Sequence, residues 1–505
     1  MKRLTANNVT SIYEKLVNNA IRSFAKHKTE ATYKYIKAAA KWAYGFNFIF
    51  FDGRLERIIH SLSDEVIFKK VLKQELDERF VLIDTCSEDN RGLHQQYLRA
   101  FEHVGATYLF ITLRNDISPL KRTIEEISSY NKGSFWHYEG KEINPYKKAQ
   151  ILSDVIYKFS PKRLFLHLMP SDIISLMAVD SIVGATKYNI NLTDHAFWLG
   201  ASFVDYNIEF RGCGRTISLE KRGFQESQLI NLPFYPIIQK NNIKDDLPQR
   251  KSEDIIVFTG GTPYKMMGKD SFFFKVLIEE ILSLSPNVKV WVAGFDKGDE
   301  LLDNIVRNMK NGDRVFNIGV RRDINHVFEQ CDIYLGTYPV GGGLMTQYAA
   351  INGKPILSYA DSTTPIVFNI ESIVNQCSVA MKNFVSIDDF MDYARKLIFD
   401  TKYREQEGHN NMSAIMSKDK FNDYFDNAIL KKKTLVTWKD EVVDYDIILK
   451  WFLDIENENL HSNFVELISV LRASALKTLW KYYAIVLPLF WKSAKKYSFD
   501  LRKLK

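Results

Sequence analysis

Asp332-Ile-Tyr-Leu-Gly-Thr-Tyr-Pro-Val-Gly341-Gly342-Gly343-Leu-Met-Thr346-Gln-Tyr-Ala-Ala-Ile-Asn-Gly353-Lys-Pro355 reads as a short apolar strand, a turn of three consecutive glycines, and a helix that opens near Leu344 and stops at Gly353. Glycine suits a helix stop, and the Lys-Pro that follows opens another strand. At a helix start, residues without a Cβ let main-chain N–H groups come close to an anion, and the helix dipole favours negative charge there. The hydroxyl of Thr346 is expected to add a donor. Strand, glycine turn and helix together spell one crossover of a parallel α/β sheet with a phosphate site at its turn.

Working outward, apolar runs at Ile255–Thr259, Val288–Ala293, Val315–Ile318, Ile333–Leu335 and Pro355–Tyr359 alternate with helical stretches near 271–284, 299–309 and 323–330. That alternation predicts a doubly wound sheet, whose ligands sit beyond the carboxyl ends of the strands. The loop Thr259-Gly260-Gly261-Thr262-Pro-Tyr-Lys265 follows the first of these strands, so Gly260, Gly261 and Thr262 offer main-chain donors and Lys265 a point charge toward a diphosphate.

A second α/β pattern precedes it, with strands expected at Phe80–Thr85, Thr107–Thr112, Arg163–Leu168 and Tyr188–Leu192. Ahead of it, Val9, Ile12, Tyr13, Leu16, Val17, Ala20, Ile21 and Phe24 recur at helical spacing, the first of three expected helices. The polar stretch from Gln239 to Glu253 reads as a linker. The expected organisation is a helical appendage (1–75), a Rossmann-like domain (76–238), a second Rossmann-like domain (252–430) and a helical, basic tail (431–505), the two Rossmann-like domains facing a cleft. In the first of them, Asn191-Leu-Thr193-Asp194-His195-Ala-Phe197-Trp198 puts an Asp-His pair beyond a strand end. An imidazole suits proton acceptance near neutral pH, so His195 is the expected base, with Asp194 as its orienter or substitute. The loop from Glu88 to Gly92 is a rival position.

The chain has 505 residues, 46% of them apolar and 13% aromatic, enough for two domain cores with little disorder. Four isolated cysteines suggest neither a zinc site nor a disulfide framework. The formal charge of +7 is concentrated at the end: from Leu471 onward nine Lys or Arg face one acid, Asp500, and the remainder is near neutral. A nucleic-acid surface is therefore not expected. The ten residues between Lys481 and Lys492 are too few to span a bilayer; with Trp480, Tyr482, Tyr483 and Trp491 they suit an anionic membrane surface or packing on the body of the protein. No secretory leader is read at the start, so the expected location is cytoplasmic, peripheral to the inner face of the cell membrane if the tail binds it.

The pattern of strand, Gly-Gly-x-x-Tyr-Lys265, and later Tyr-Pro-x-Gly-Gly-Gly-x-x-Thr346, helix, Gly-x-Pro resembles the donor half of GT-B glycosyltransferases, nearest to the branch with O-GlcNAc transferase and bacterial cytoplasmic N-glucosyltransferases. The resemblance spans roughly a hundred residues. It implies that Lys265 and Gly341, Gly342, Gly343 and Thr346 bind the donor diphosphate without a metal or cofactor. Where that branch carries a carboxylate for the ribose, this sequence has Tyr348, and Val340 with Tyr348 stand where many retaining relatives have a pair of glutamates. The implied function is transfer of a sugar, expected from a UDP-sugar, to a glycan or lipid-linked glycan of a bacterial surface polysaccharide; the alternatives are a cytoplasmic protein glycosyltransferase and a non-catalytic GT-B scaffold.

Overall fold

The structure is a computed structural model that describes residues 3–73, 77–89, 93–140, 144–237, 243–244, 246–268, 271–368, 383–438 and 441–497. Cys377, Asn90 to Gly92 of the rival loop, part of the expected linker (239–242 and 245), and the basic residues Arg502, Lys503 and Lys505 lie outside them. The chain divides into two compact units, Met1–Leu232 with Tyr424–Lys505, and Pro233–Asp423.

Among the described residues the first unit holds nine strands: β1 (Lys70–Val71), β2 (Arg79–Asp84), β3 (Thr107–Thr112), β4 (Gly133–His137), β5 (Arg163–His167), β6 (Ile182–Val183), β7 (Thr186–Ile190), β8 (Tyr206–Glu209) and β9 (Leu229–Asn231). Seven form one parallel sheet in the order β4-β3-β2-β5-β7-β8-β9, while β1 pairs with β6. The chain runs outward from β2 to β4, then returns to β5 and runs outward the other way. The order therefore reverses between β2 and β5, where such sheets open a crevice. The four expected strands are present. β4, β8 and β9 are additions that the apolar pattern does not reveal: β4 is only half-buried, and β8 buries the polar Asn207 and Glu209 among partners of their own.

The terminal helices are not separate appendages. Val9, Leu16, Trp42, Leu467, Ile468 and Phe490 are all buried in one apolar cluster that also takes in Ala149 and Met177 of the helices covering the sheet. Leu4 and Asn457 exchange two hydrogen bonds, at 2.7 and 3.0 Å, and Lys41 pairs with Glu466. Periodic apolar stripes at both ends of the chain thus find each other.

The second unit has a five-stranded parallel sheet of β10 (Ile255–Gly260), β11 (Val288–Ala293), β12 (Val315–Gly319), β13 (Ile333–Leu335) and β14 (Ile356–Leu357), in the order β12-β11-β10-β13-β14. All five expected strands are found. Ile256, Phe258 and Trp291 bury on one face, and Val257, Val290 and Val292 on the other, the period-two alternation of a sheet covered on both sides. Here the order reverses between β10 and β13.

Candidate functional site

The reversal point of the second sheet brings together both glycine motifs. After β10, Gly260 and Gly261 turn into a short 3-10 turn, Pro263–Lys265; after β13 the chain passes Gly336 to Gly342 and enters the helix Gly343–Ile351. Each glycine is there for space. A Cβ on Gly260 would lie 3.3 Å from both Ala293 and Met345, and one on Gly261 would lie 3.4 Å from Lys265 and from Thr337. At Gly294, with φ of +110°, a Cβ would come within 1.8 Å of the Gly261 carbonyl oxygen. A Cβ on Gly341 would meet the Phe368 carbonyl oxygen at 2.8 Å. The two loops are also tied directly, because the Val340 amide donates to the Lys265 carbonyl at 3.4 Å.

Two features suit this turn to an anion. Gly342 is the N-cap of the helix and supplies no side-chain acceptor, so the first-turn N–H groups are left for another partner. Lys265 is half-buried against Gly261, and burial alone pulls its pKa below the ordinary lysine range; among the described residues no carboxylate pairs with it. A small depression lies beside the glycine turn and is walled by Thr337, Gly341, Gly342, Ser358 and Thr364. Its far wall is steadied by Asp361, which accepts from the Tyr338 hydroxyl at 2.7 Å and from Thr363 and Thr364.

Two residues differ from expectation. Thr346 is buried, and its hydroxyl donates to the Gly342 carbonyl at 3.0 Å, so it braces the helix start instead of offering its proton outward. Tyr348 lies on the core side of the same helix, its hydroxyl donating to the Ile237 carbonyl at 3.1 Å. Thr262 is exposed at the entry to the turn.

In the first unit, His195 and Asp194 lie beyond β7, one strand away from the reversal point. Asp194 is fully buried, and Arg211 grips both its oxygens. Burial opposes ionisation, but the Arg211 guanidinium outweighs it and holds the carboxyl down at about 2. Both oxygens of Asp194 are thus engaged by Arg211. Its contact with His195, Nδ1 to Oδ1, is 3.4 Å, enough to orient the ring of a residue that is itself partly exposed.

Sequence reading missed the charges around this pair. Glu209, at the end of β8, accepts from Asn191 at 2.9 and 3.0 Å and from Asn207 and Ser218; burial pushes its pKa up to about 7 against the pull of Arg222. Gly214 makes room for the cluster, since a Cβ there would stand 2.6 Å from Asp194 and 2.9 Å from Glu209. The available signal was Glu209-Phe-Arg211-Gly-Cys-Gly214, a strand end carrying an acid and a base into a glycine-rich helix start.

No family profile and no curated protein matches the sequence. Among solved structures, a variant of the Thermobaculum terrenum O-GlcNAc transferase aligns with 89% of this chain and 85% of its own, at a TM-score of 0.51 and 12% identity. The fold is GT-B. A glycosyltransferase from Rickettsia africae aligns with 76% of this chain and 99% of its own (TM-score 0.47, 12% identity), and the Anabaena protein HepE, solved with UDP-glucose, with 70% and 99% (TM-score 0.48, 12% identity).

Proposed function

We propose that this chain is a glycosyltransferase that takes its sugar from a nucleoside diphosphate sugar, expected to be a UDP-sugar, bound at the reversal point of the second sheet. The observation that carries the reading is Lys265, a half-buried cation with no carboxylate partner among the described residues, set against the same glycine turn as the uncapped helix start. An unpaired buried charge is costly, and a diphosphate would relieve it while filling the open amides. In this reading Lys265 and main-chain N–H groups supply the positive field that aids departure of the diphosphate. His195, oriented by Asp194, is proposed to receive the acceptor's proton. The fold shared with an O-GlcNAc transferase supports sugar transfer as the reaction class.

The proposed acceptor is a glycan or lipid-linked glycan at a membrane face. No helix among the described residues is long and apolar enough to cross a membrane. The closing helix Tyr483–Tyr497 buries Val486 and Phe490 and exposes Tyr483, Trp491 and Lys492, with Trp480 and Lys481 exposed just before it, a surface suited to an anionic leaflet.

Calorimetric titration with UDP, GDP and ADP tests the donor site. Binding of one nucleotide is expected, in the presence of chelator, and Lys265→Ala should weaken it about 10- to 100-fold, as loss of a charged hydrogen bond implies. A wild-type protein indifferent to every nucleotide sinks the reading. His195→Ala should keep nucleotide affinity and lose turnover; retained turnover would move proton acceptance to another side chain.

A further inference from the structure

The reversal point of the first sheet gathers side chains that the proposed transfer reaction does not use. Asp84 and His167 end β2 and β5 directly opposite each other in register, and His167 Nδ1 lies 2.9 Å from Asp84 Oδ2. Beyond β2 the chain bends back on the same carboxylate, because the Cys86 amide donates to Asp84 Oδ1 at 2.8 Å. That turn brings the thiol to the pair: the ligand atoms of Asp84, Cys86 and His167 all lie within 4.8 Å of one another. Among the described residues no other His, Cys, Asp or Glu side chains converge in this way. Asp84 and His167 are buried, whereas Cys86 is partly exposed and leaves a way in for something as small as an ion. Cys86 stands alone in the sequence and acquires these neighbours only through strand register.

The protons around Asp84 are too few for the lone pairs that face it. Thr123 has one hydroxyl proton and gives it to Asp89 Oδ1 at 2.7 Å, so in the 2.8 Å contact between Thr123 Oγ1 and His94 Nε2 the imidazole donates. His94 is fully buried, and burial pulls its pKa below the ordinary range, which keeps the ring neutral and leaves a lone pair on Nδ1. That nitrogen makes no hydrogen bond and stands 3.4 Å from Asp84 Oδ2. His167 repeats the situation. Its Nδ1 proton goes to the Asp84 carboxylate, and its buried Nε2 makes no hydrogen bond. A carboxylate flanked by two bare imidazole nitrogens, buried away from water, calls for positive charge. The nature of the donors says which kind. Magnesium and calcium prefer a shell of oxygens, whereas a set of imidazole, thiolate and carboxylate suits zinc.

We propose that Asp84, Cys86 and His167 bind one divalent transition-metal ion of the zinc type, which fastens the ends of β2 and β5 to the turn after β2. On coordination the Cys86 thiol releases its proton to solvent, His167 binds through one ring nitrogen and keeps its proton on the other, and Asp84 stays ionised. Three protein ligands leave a fourth position for water. Nothing in this assignment depends on the donor site of the second unit.

Metal analysis of the full chain, dialysed against EDTA, loaded with zinc chloride and desalted, tests it, with folding of every variant checked by circular dichroism. About one zinc ion per chain is expected. Cys86→Ser and His167→Gln should each weaken its binding about tenfold or more, whereas Lys265→Ala should leave it unchanged and excess magnesium should not displace it. Two readings need no variant to fold: cobalt(II) in place of zinc should give a thiolate-to-metal absorption band, and zinc should protect Cys86 from alkylation. A wild-type chain that retains no zinc, a Cys86 alkylated equally fast with and without the ion, or zinc held as tightly by both folded variants as by the wild type would overturn the proposal.

Discussion

The two sheets reverse their strand order in the same way and furnish the two reversal points with opposite materials. At β10 and β13 the site is made of backbone: glycines that admit close approach, open amides, and the Lys265 cation, which has no carboxylate partner among the described residues. At β2 and β5 it is made of side chains, a buried Asp84–His167 pair, and the neighbouring strand ends add the buried charges of Asp194, Glu209, Arg211 and Arg222. Backbone dipoles suit a fixed multiply charged group such as a diphosphate, whereas oriented side chains discriminate hydroxyls and exchange protons. The difference teaches that equivalent places on two related sheets are specialised by what fills the strand ends, and that the specialisation can be tested by how each fails.

The largest failure is expected in the first unit. Arg211→Ala strands a buried Asp194 carboxylate and should cost about 3–5 kcal/mol, read from urea unfolding. Gly294→Ala probes the backbone-built site in the second unit: its Cβ would strike the Gly261 carbonyl in a left-handed conformation, and a loss on the order of 2–4 kcal/mol is expected, with nucleotide binding impaired at the same time. A comparable loss for Ala at an exposed glycine such as Gly298 would remove the claim that close approach is what matters at Gly294.

A pH scan sharpens the contrast further. The folded pKa of Glu209, about 7, lies above its ordinary 4.5, so its contribution to stability is fully present below about pH 4.5 and is lost as pH rises through about 7. Over that window Tm of the wild type should fall relative to Glu209→Gln; parallel curves would show that the carboxyl does not titrate there. Asp194 works at lower pH, its contribution persisting above the ordinary range of Asp and vanishing only as pH drops toward about 2. The smallest effect belongs to Lys265→Ala, expected to leave stability within about 0.5 kcal/mol or to raise it slightly, because among the described residues the side chain has no carboxylate to lose. A clear loss of stability there would mean that Lys265 serves the fold.

The second sheet was legible strand by strand because its five strands are mostly apolar and mostly buried, and the glycine turns mark where its order reverses. The first was legible in part. β2, β3, β5 and β7 show as apolar runs, whereas β8, Tyr-Asn-Ile-Glu, hides among polar residues that bury only because Asn191, Asn207 and Ser218 satisfy Glu209. Thr346 shows the limit at a single residue: its place beside the glycines was readable, but the Gly342 carbonyl that takes its proton was not.

By itself the sequence determined the backbone-built half of this protein, since glycines, helix stops and a lysine after a strand act within a few residues of one another and leave their spacing in the chain. Only the tertiary structure decided the rest. Asp84 meets His167, and Arg211 meets Asp194, across parallel strands joined by long crossovers, and the terminal helices meet across more than four hundred residues. Contacts of that kind depend on sheet order and register, which no local pattern records.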